Sequence, residues 1–135
     1  MKVYIAGPMS GLPQFNFPAF DAMARSLRKA GHDVVSPTEL DSQEWRDMAL
    51  ASPDGQMANW FTGDTWGSVL ARDVRLLSDG GIEGVVVLPG FAKSRGARLE
   101  TYVARLCGLP IMWFDGNMLR VVPEPTLRKG WLGDE

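Results

Sequence analysis

Glu100, Asp73 and Tyr4 are the side chains of this chain best placed for chemistry, and each sits in a local pattern that says where it would stand. Glu100 closes the segment Lys93-Ser94-Arg95-Gly96-Ala97-Arg98-Leu99-Glu100. Gly96 opens a helical pattern there, so free N–H groups and the helix dipole favour an anion, and Ser94 adds a hydroxyl. A carboxyl one turn further on reads either as an acid stabilised by that helix start or as a nucleophilic or acid–base group. Asp73 lies within Leu70-Ala-Arg-Asp73-Val-Arg75, in mid-helix, where aspartate is a poor choice by propensity. With Arg72 and Arg75 beside it, the segment reads as an ion-paired solvated face or as the seat of a second acid. Tyr4 alternates with Val3 and Ile5, so its ring faces the opposite side of a strand from theirs. The loop after it, Gly7-Pro8-Met9-Ser10-Gly11, offers a hydroxyl, backbone N–H groups and glycines that let a ligand approach the backbone. It lacks the Gly-Lys-Ser/Thr ending of a P-loop.

The elements that must hold these residues follow from periodicity. Residues 2–6 read as a strand, 18–30 as a helix with Phe20, Met23, Ala24 and Leu27 on one face, and 32–36 as a second strand stopped by Pro37. Gly31 suits the residue past the helix end. This is a β-α-β unit, parallel with a right-handed crossover. Residues 65–78 form a second long helix, 82–88 a nearly all-apolar central strand, 95–107 a helix ended by Gly108, and 110–114 a fourth strand. Asp115-Gly116-Asn117 is a turn signal before a fifth strand at 118–122, and the tail from Pro123 packs on the body or on a partner subunit. Residues 38–64 show no clean period and read as a lid-like insertion over the strand ends, with a short helix at 44–51. Trp45, Trp60 and Trp66 cluster in or beside it, to anchor it, to stack on a base or to cover a dimer surface. The pattern predicts a single doubly wound α/β domain over 1–135, flavodoxin- or Rossmann-like, with a parallel sheet of four to five strands and its pocket at the strand carboxyl ends.

Bulk properties narrow the function. Hydrophobic residues are 45% and charged residues 22% of the chain, as in a folded globular protein. A formal net charge of −2 leaves no basic field to attract a nucleic-acid polymer. One cysteine, Cys107, and one histidine, His32, cannot supply a zinc site, and no metal or organic cofactor is indicated. Cys107 falls in an apolar helical pattern and reads as a buried structural thiol. No run reaches the length of a membrane span and no signal peptide is evident, so the cytoplasm is the simplest expectation.

Taken together, these segments resemble the nucleoside 2-deoxyribosyltransferase-like superfamily, and most closely its small, often phage- or prophage-encoded DUF4406 branch. The resemblance rests on YIAGPMSG at 4–11, FNFPAF at 15–20, GHDVVSP at 31–37, Leu70–Asp73 and Ser94–Glu100, and covers roughly residues 3–117. It implies that Glu100 is a nucleophile attacking C1′ of a nucleoside sugar, that Asp73 assists departure of the base, and that Tyr4 orients the nucleophile. It implies further that Ser94 and Gly96, with the loop Gly7, Pro8, Met9 and Ser10, bind the sugar end or a 5′-phosphate. Asn117 matches a residue lent to a neighbouring subunit, so a homodimer or higher homo-oligomer is expected. Relatives that hydrolyse monophosphates carry an arginine in the first loop, where this chain has Pro8-Met9-Ser10; Lys93, Arg95 or Arg98 would have to compensate. The cytokinin-activating phosphoribohydrolases share a Pro-Gly and a helical glutamate but have a second glycine and a tighter spacing.

The chemistry is consistent without the family. Cleavage of an N-glycosidic bond passes through an oxocarbenium-like transition state that one carboxylate captures while a second, protonated carboxyl donates to the leaving group. Two carboxyls in one pocket acquire separated pKa values, which supplies both roles. The expected function is hydrolysis or base exchange on a nucleoside or nucleoside 5′-monophosphate. The alternative is a non-catalytic protein of the same fold that binds or sequesters a nucleotide.

Overall fold

In the computed structural model, which describes residues 1–56 and 66–132, a five-stranded sheet runs in the order β2-β1-β3-β4-β5. The strands are β1 (Lys2–Ala6), β2 (Asp33–Val35), β3 (Gly84–Val87), β4 (Ile111–Phe114) and β5 (Leu119–Val121). The helices are α1 (Phe17–Lys29), α2 (Pro37–Leu40), α3 (Gln43–Ala51), α4 (Trp66–Asp79), α5 (Arg95–Leu106) and α6 (Glu124–Leu132). β1 pairs in parallel with β2 and β3, and β3 with β4. β5 runs antiparallel to β4, so the expected parallel sheet carries a reversed edge. The reason is the short connection: a parallel return needs a crossover of a dozen or more residues, and only the turn at 115–118 separates these strands. The arrangement is doubly wound and Rossmann-like. Strand order reverses between β1 and β3, and ligands bind outside the carboxyl ends at such a switch point.

The two faces of the sheet are separate cores. Val3, Ile5, Val86 and Leu88 pack against Phe20, Ala24 and Leu27 of α1. Tyr4, Ala6, Val85 and Val87 face the other way, against Leu77 of α4 and Ala97 and Ala104 of α5. Tyr4 is therefore turned away from α1 and toward the two helices that carry Asp73 and Glu100, as strand alternation predicts. Each fully buried valine contributes roughly 1.5–3 kcal/mol, so the central strands anchor the fold.

The helix ends follow local rules. After α1, the His32 N–H donates to Leu27 O and the Gly31 N–H to Arg28 O, with Gly31 at φ +95. This Schellman closure recurs after α5, where the Leu109 N–H donates to Ala104 O and the Gly108 N–H to Arg105 O. Ser42 and Ser94 cap α3 and α5, accepting from the N–H groups of Trp45 and Ala97. Cys107 ends α5 on the exposed side, contrary to the expected buried thiol, because the apolar stripe of the helix ends at Ala104. The tail forms α6, and Leu127 joins the core beside α5.

The described part of the insertion packs on the body and lines the pocket with Asp41, Ser42 and Trp45. Pro37 begins α2 instead of merely stopping β2. Buried Thr38 donates to Asp21 of α1, and Arg46 of α3 pairs with Asp21 and lies 5.6 Å over the Phe17 ring. Ala49 packs with Phe15 and Phe17. Trp60 and the rest of 57–65 lie outside the described residues, as does the side chain of Trp66.

Candidate active site

The first loop approaches the second at Gly7. A Cβ placed there would come within 2.7 Å of Leu88 Cβ, so only glycine lets the ends of β1 and β3 meet. Gly7→Ala is expected to lower stability by about 1–3 kcal/mol through this overlap, measured as a lower urea midpoint with an unchanged slope.

Beyond Gly7 the chain makes an unusual left-handed turn. Gln14, Phe15 and Asn16 all have positive φ, at 55, 50 and 60. Such a conformation costs a non-glycine residue roughly 1–2 kcal/mol, so it persists only where partners hold it. The Gln14 N–H donates to Ser52 O at 2.8 Å and its side chain to Leu50 O at 2.9 Å, while Asn16 Nδ2 donates to Pro8 O at 2.9 Å. The Gly11 N–H reaches Gly55 O at 2.9 Å. At Gly55 a Cβ would lie 2.0 Å from Leu12 O, so first loop and insertion are fitted backbone to backbone. The result aims the Phe15 ring at Trp45, edge to face with centroids 5.1 Å apart.

These segments and the starts of α4 and α5 enclose a cavity of about 530 Å³, within the usual range for small-molecule sites. Gly7, Pro8, Met9, Ser10, Ser94, Gly96, Asp73 and Glu100 all line it. Tyr4 stands behind them, fully buried, and its hydroxyl donates to Glu100 Oε2. Asn117 does not line it: it is exposed in the β4–β5 turn, where its N–H donates to Asp115 Oδ1. Any role for Asn117 in a site therefore requires a second copy of the chain. Of the three cations considered as phosphate partners, Lys93 and Arg95 line the cavity and Arg98 does not. Ser94 has a structural duty as the cap of α5, accepting from the Ala97 N–H at 3.2 Å. Gly96 has no packing duty, since a Cβ there would meet only Ser94 Oγ at 4.0 Å.

The walls include Phe15, Phe20, Pro37 and Trp45, a largely apolar slot of the kind that receives a flat ring. Asp41 also lines the cavity, and sequence reasoning missed it. Nothing in the local pattern around Asp41 marks it; its importance lies in Arg72, more than a helix away along the chain. Arg72 Nη1 donates to Asp41 Oδ1 at 3.0 Å and Arg72 Nε to Asp73 Oδ1 at 3.0 Å. The ion-paired reading of the 70–75 segment is therefore correct for Arg72, and it does not displace Asp73 from the cavity.

Burial governs the electrostatics. Glu100 and Asp73 are each 6% exposed. Burial, and then the neighbouring Asp73, push the Glu100 carboxyl up to about 8, against the opposing effects of the Tyr4 hydrogen bond and Arg72. Burial also raises Asp73, while the charge and hydrogen bonds of Arg72 and the Tyr4 hydroxyl hold it down. Tyr4 is driven well above its ordinary value by burial and by both carboxyls, so it remains a neutral donor. The two carboxyls titrate as a coupled pair, and near neutral pH that pair retains a proton. An arrangement of this kind can attack an electrophilic carbon with one carboxylate and protonate a leaving group with the other carboxyl. Among the described residues no cluster of His, Cys, Asp or Glu could hold a metal, and no helix is long and apolar enough to cross a membrane.

Comparison with known proteins agrees with this architecture. No curated protein sequence matches the chain significantly. Among solved structures, it is similar to a 2-deoxyribosyltransferase from Bacillus psychrosaccharolyticus, a biocatalyst for nucleoside synthesis. That likeness has 16% identity and a TM-score of 0.50, over 96% of this chain and 82% of the other, and it bears on the fold alone. Residues 1–59 and 61–113 match the family described as domain of unknown function DUF4406. The chain therefore belongs to the DUF4406 family, with a nucleoside 2-deoxyribosyltransferase-like fold.

Proposed function

We propose that this protein cleaves the N-glycosidic bond of a nucleoside or nucleoside 5′-monophosphate through a covalent intermediate on Glu100. The observation that carries the reading is the buried Tyr4–Glu100–Asp73 cluster on the wall of a ligand-sized cavity. The base enters the apolar slot with a ring nitrogen beside Asp73. Glu100 Oε attacks C1′ as the bond from C1′ to the base nitrogen breaks, and the bonding pair leaves with the base. Asp73 donates its proton to the base. Water then adds to C1′, the ester to Glu100 opens, and the proton from water returns to Asp73. If a second base replaces water, the same intermediate yields base exchange.

Tyr4 completes this division of labour. Its hydroxyl donates to Glu100 and stabilises the ionised form in which Glu100 attacks. A protein that only bound a nucleotide would gain nothing from burying two carboxyls side by side, which destabilises the folded state.

Lys93 and Arg95, together with the first N–H groups of α5, favour a phosphorylated substrate. The test is a panel of ribo- and deoxyribonucleosides and their 5′-monophosphates, with chromatography of released base. Base is expected from at least one monophosphate. Lys93→Ala with Arg95→Ala is expected to raise KM for that monophosphate by about tenfold or more, with a smaller effect on the free nucleoside. Tight binding by calorimetry without base release from any compound would instead favour the sequestering reading.

A further inference from the structure

The acid end of the cavity contains a charge that the reaction above does not use. Asp41 follows α2, and its side chain is 4% exposed. Arg72 Nη1 donates to it at 3.0 Å, and the same guanidinium donates from Nε to Asp73. Arg72 Nη2 lies 2.9 Å from Asp73 Oδ1 but is not aligned to donate, and it is buried without another hydrogen-bond partner. One cation thus stands between two buried carboxylates that come from different parts of the fold. Asp73 is faced by Tyr4 from β1, by Glu100 from α5, by Arg72 on its own helix and by Asp41 from the α2–α3 link. Lys93 and Arg95 line the same cavity from the segment that leads into α5.

We propose that Asp41 is a positioning residue for the acid: it competes with Asp73 for the single guanidinium of Arg72 and so keeps Asp73 able to hold a proton. A guanidinium given wholly to Asp73 would fix that residue as a carboxylate, which cannot donate to a leaving base. Shared with Asp41, the same guanidinium orients Asp73 while neutralising it less. The sign of each influence agrees: Arg72 lowers the Asp73 carboxyl and Asp41 raises it. Asp41 is also held in place by the packed insertion, through α2 on one side and α3 on the other. The insertion therefore acts on the acid electrostatically, in addition to walling the cavity.

The proposal rests on the reading of Asp73 as an acid, and it is tested by a measurement that does not depend on turnover. Carboxyl carbons of aspartate are followed by NMR against pH in the wild type, with Asp73→Asn used to assign the Asp73 signal. In Asp41→Asn, which keeps an acceptor for Arg72 and removes the charge, the Asp73 midpoint is expected to move down. In Arg72→Gln it is expected to move up. A merely structural role for Asp41 would not produce shifts of opposite sign. In kinetics, the descending limb of kcat/KM against pH is expected to move to lower pH in Asp41→Asn. If that variant does not fold, Asp41→Ser retains a hydroxyl acceptor without the charge and carries the same expectation. An Asp73 midpoint unmoved or raised by loss of the Asp41 charge overturns the proposal. If the midpoints move as expected while no substrate loses its base, the proposed reaction fails and the electrostatic connection stands.

Discussion

Glu100→Gln is expected to abolish base release, by at least about 10³-fold in kcat, while making the protein more stable at pH 8. Both effects have one origin. Glutamine keeps the size of the side chain and an amide oxygen to accept from Tyr4, but it cannot form an ester with C1′. It also removes the carboxyl whose burial beside Asp73 makes the pair hold a proton that the unfolded chain would release. With the folded value near 8 and the unfolded value near 4.5, the native state binds the extra proton throughout that interval. Wild-type stability attributable to this group is therefore fully present below the unfolded value, declines as pH rises through the interval, and levels off above about 8. The variant lacks the decline. Thermal melts of both proteins from pH 5 to pH 8 should diverge progressively, with a gap at pH 8 on the order of a few kcal/mol. Equal pH dependence in both proteins would show that burying Glu100 beside Asp73 does not make the pair hold that proton.

Asp73→Asn is expected to slow release of an ordinary base by about 10²–10⁴-fold, the usual range for loss of a positioned acid. The loss should depend on the leaving group. A substrate whose base departs readily without protonation needs no acid, so the variant should recover most of its rate on such a compound. Glu100→Gln should recover little, because the attacking oxygen is still missing. Asp73→Asn should also move the ascending limb of the pH profile to lower pH, since the Asp73 charge is one of the causes that raise Glu100. Steady-state kinetics on one ordinary and one activated substrate separates the two roles. Equal losses on both substrates in Asp73→Asn would show that the residue serves binding rather than proton donation.

Much of this site is legible in the sequence because its key side chains sit at positions set by short-range rules. Alternation in β1 puts Tyr4 on the face opposite Val3 and Ile5. That is the face covered by α4 and α5, and so one buried hydroxyl meets carboxyls from two helices. A glycine after an apolar strand and a serine before a helix mark the loops at the carboxyl end. What escaped depends on contacts between distant segments. Arg72 reads locally as a surface charge, and only the fold brings Asp41 to it. α2 is four residues long, too short for a helical period, so its segment reads as loop. The left-handed turn at Gln14–Asn16 contains no glycine, and its conformation is imposed by the hydrogen bonds that Gln14 and Asn16 donate to the carbonyls of Leu50, Ser52 and Pro8. The direction of β5 follows from turn length rather than composition, and its sequence looks the same in either direction.

Covalent catalysis by Glu100 requires a bond from its carboxyl oxygen to C1′, and that bond can be captured. The protein would be incubated with a nucleoside or nucleoside 5′-monophosphate bearing fluorine at C2′, which destabilises an oxocarbenium-like transition state and slows release of the glycosyl group. The reaction would be quenched in acid, and the adduct located by mass spectrometry of the intact chain and of its peptides. One glycosyl unit per chain is expected, placed by fragmentation on Glu100, with stoichiometric release of base and no adduct on Glu100→Gln. Base release with the adduct on another residue, or an adduct that persists in Glu100→Gln, would contradict covalent catalysis by Glu100.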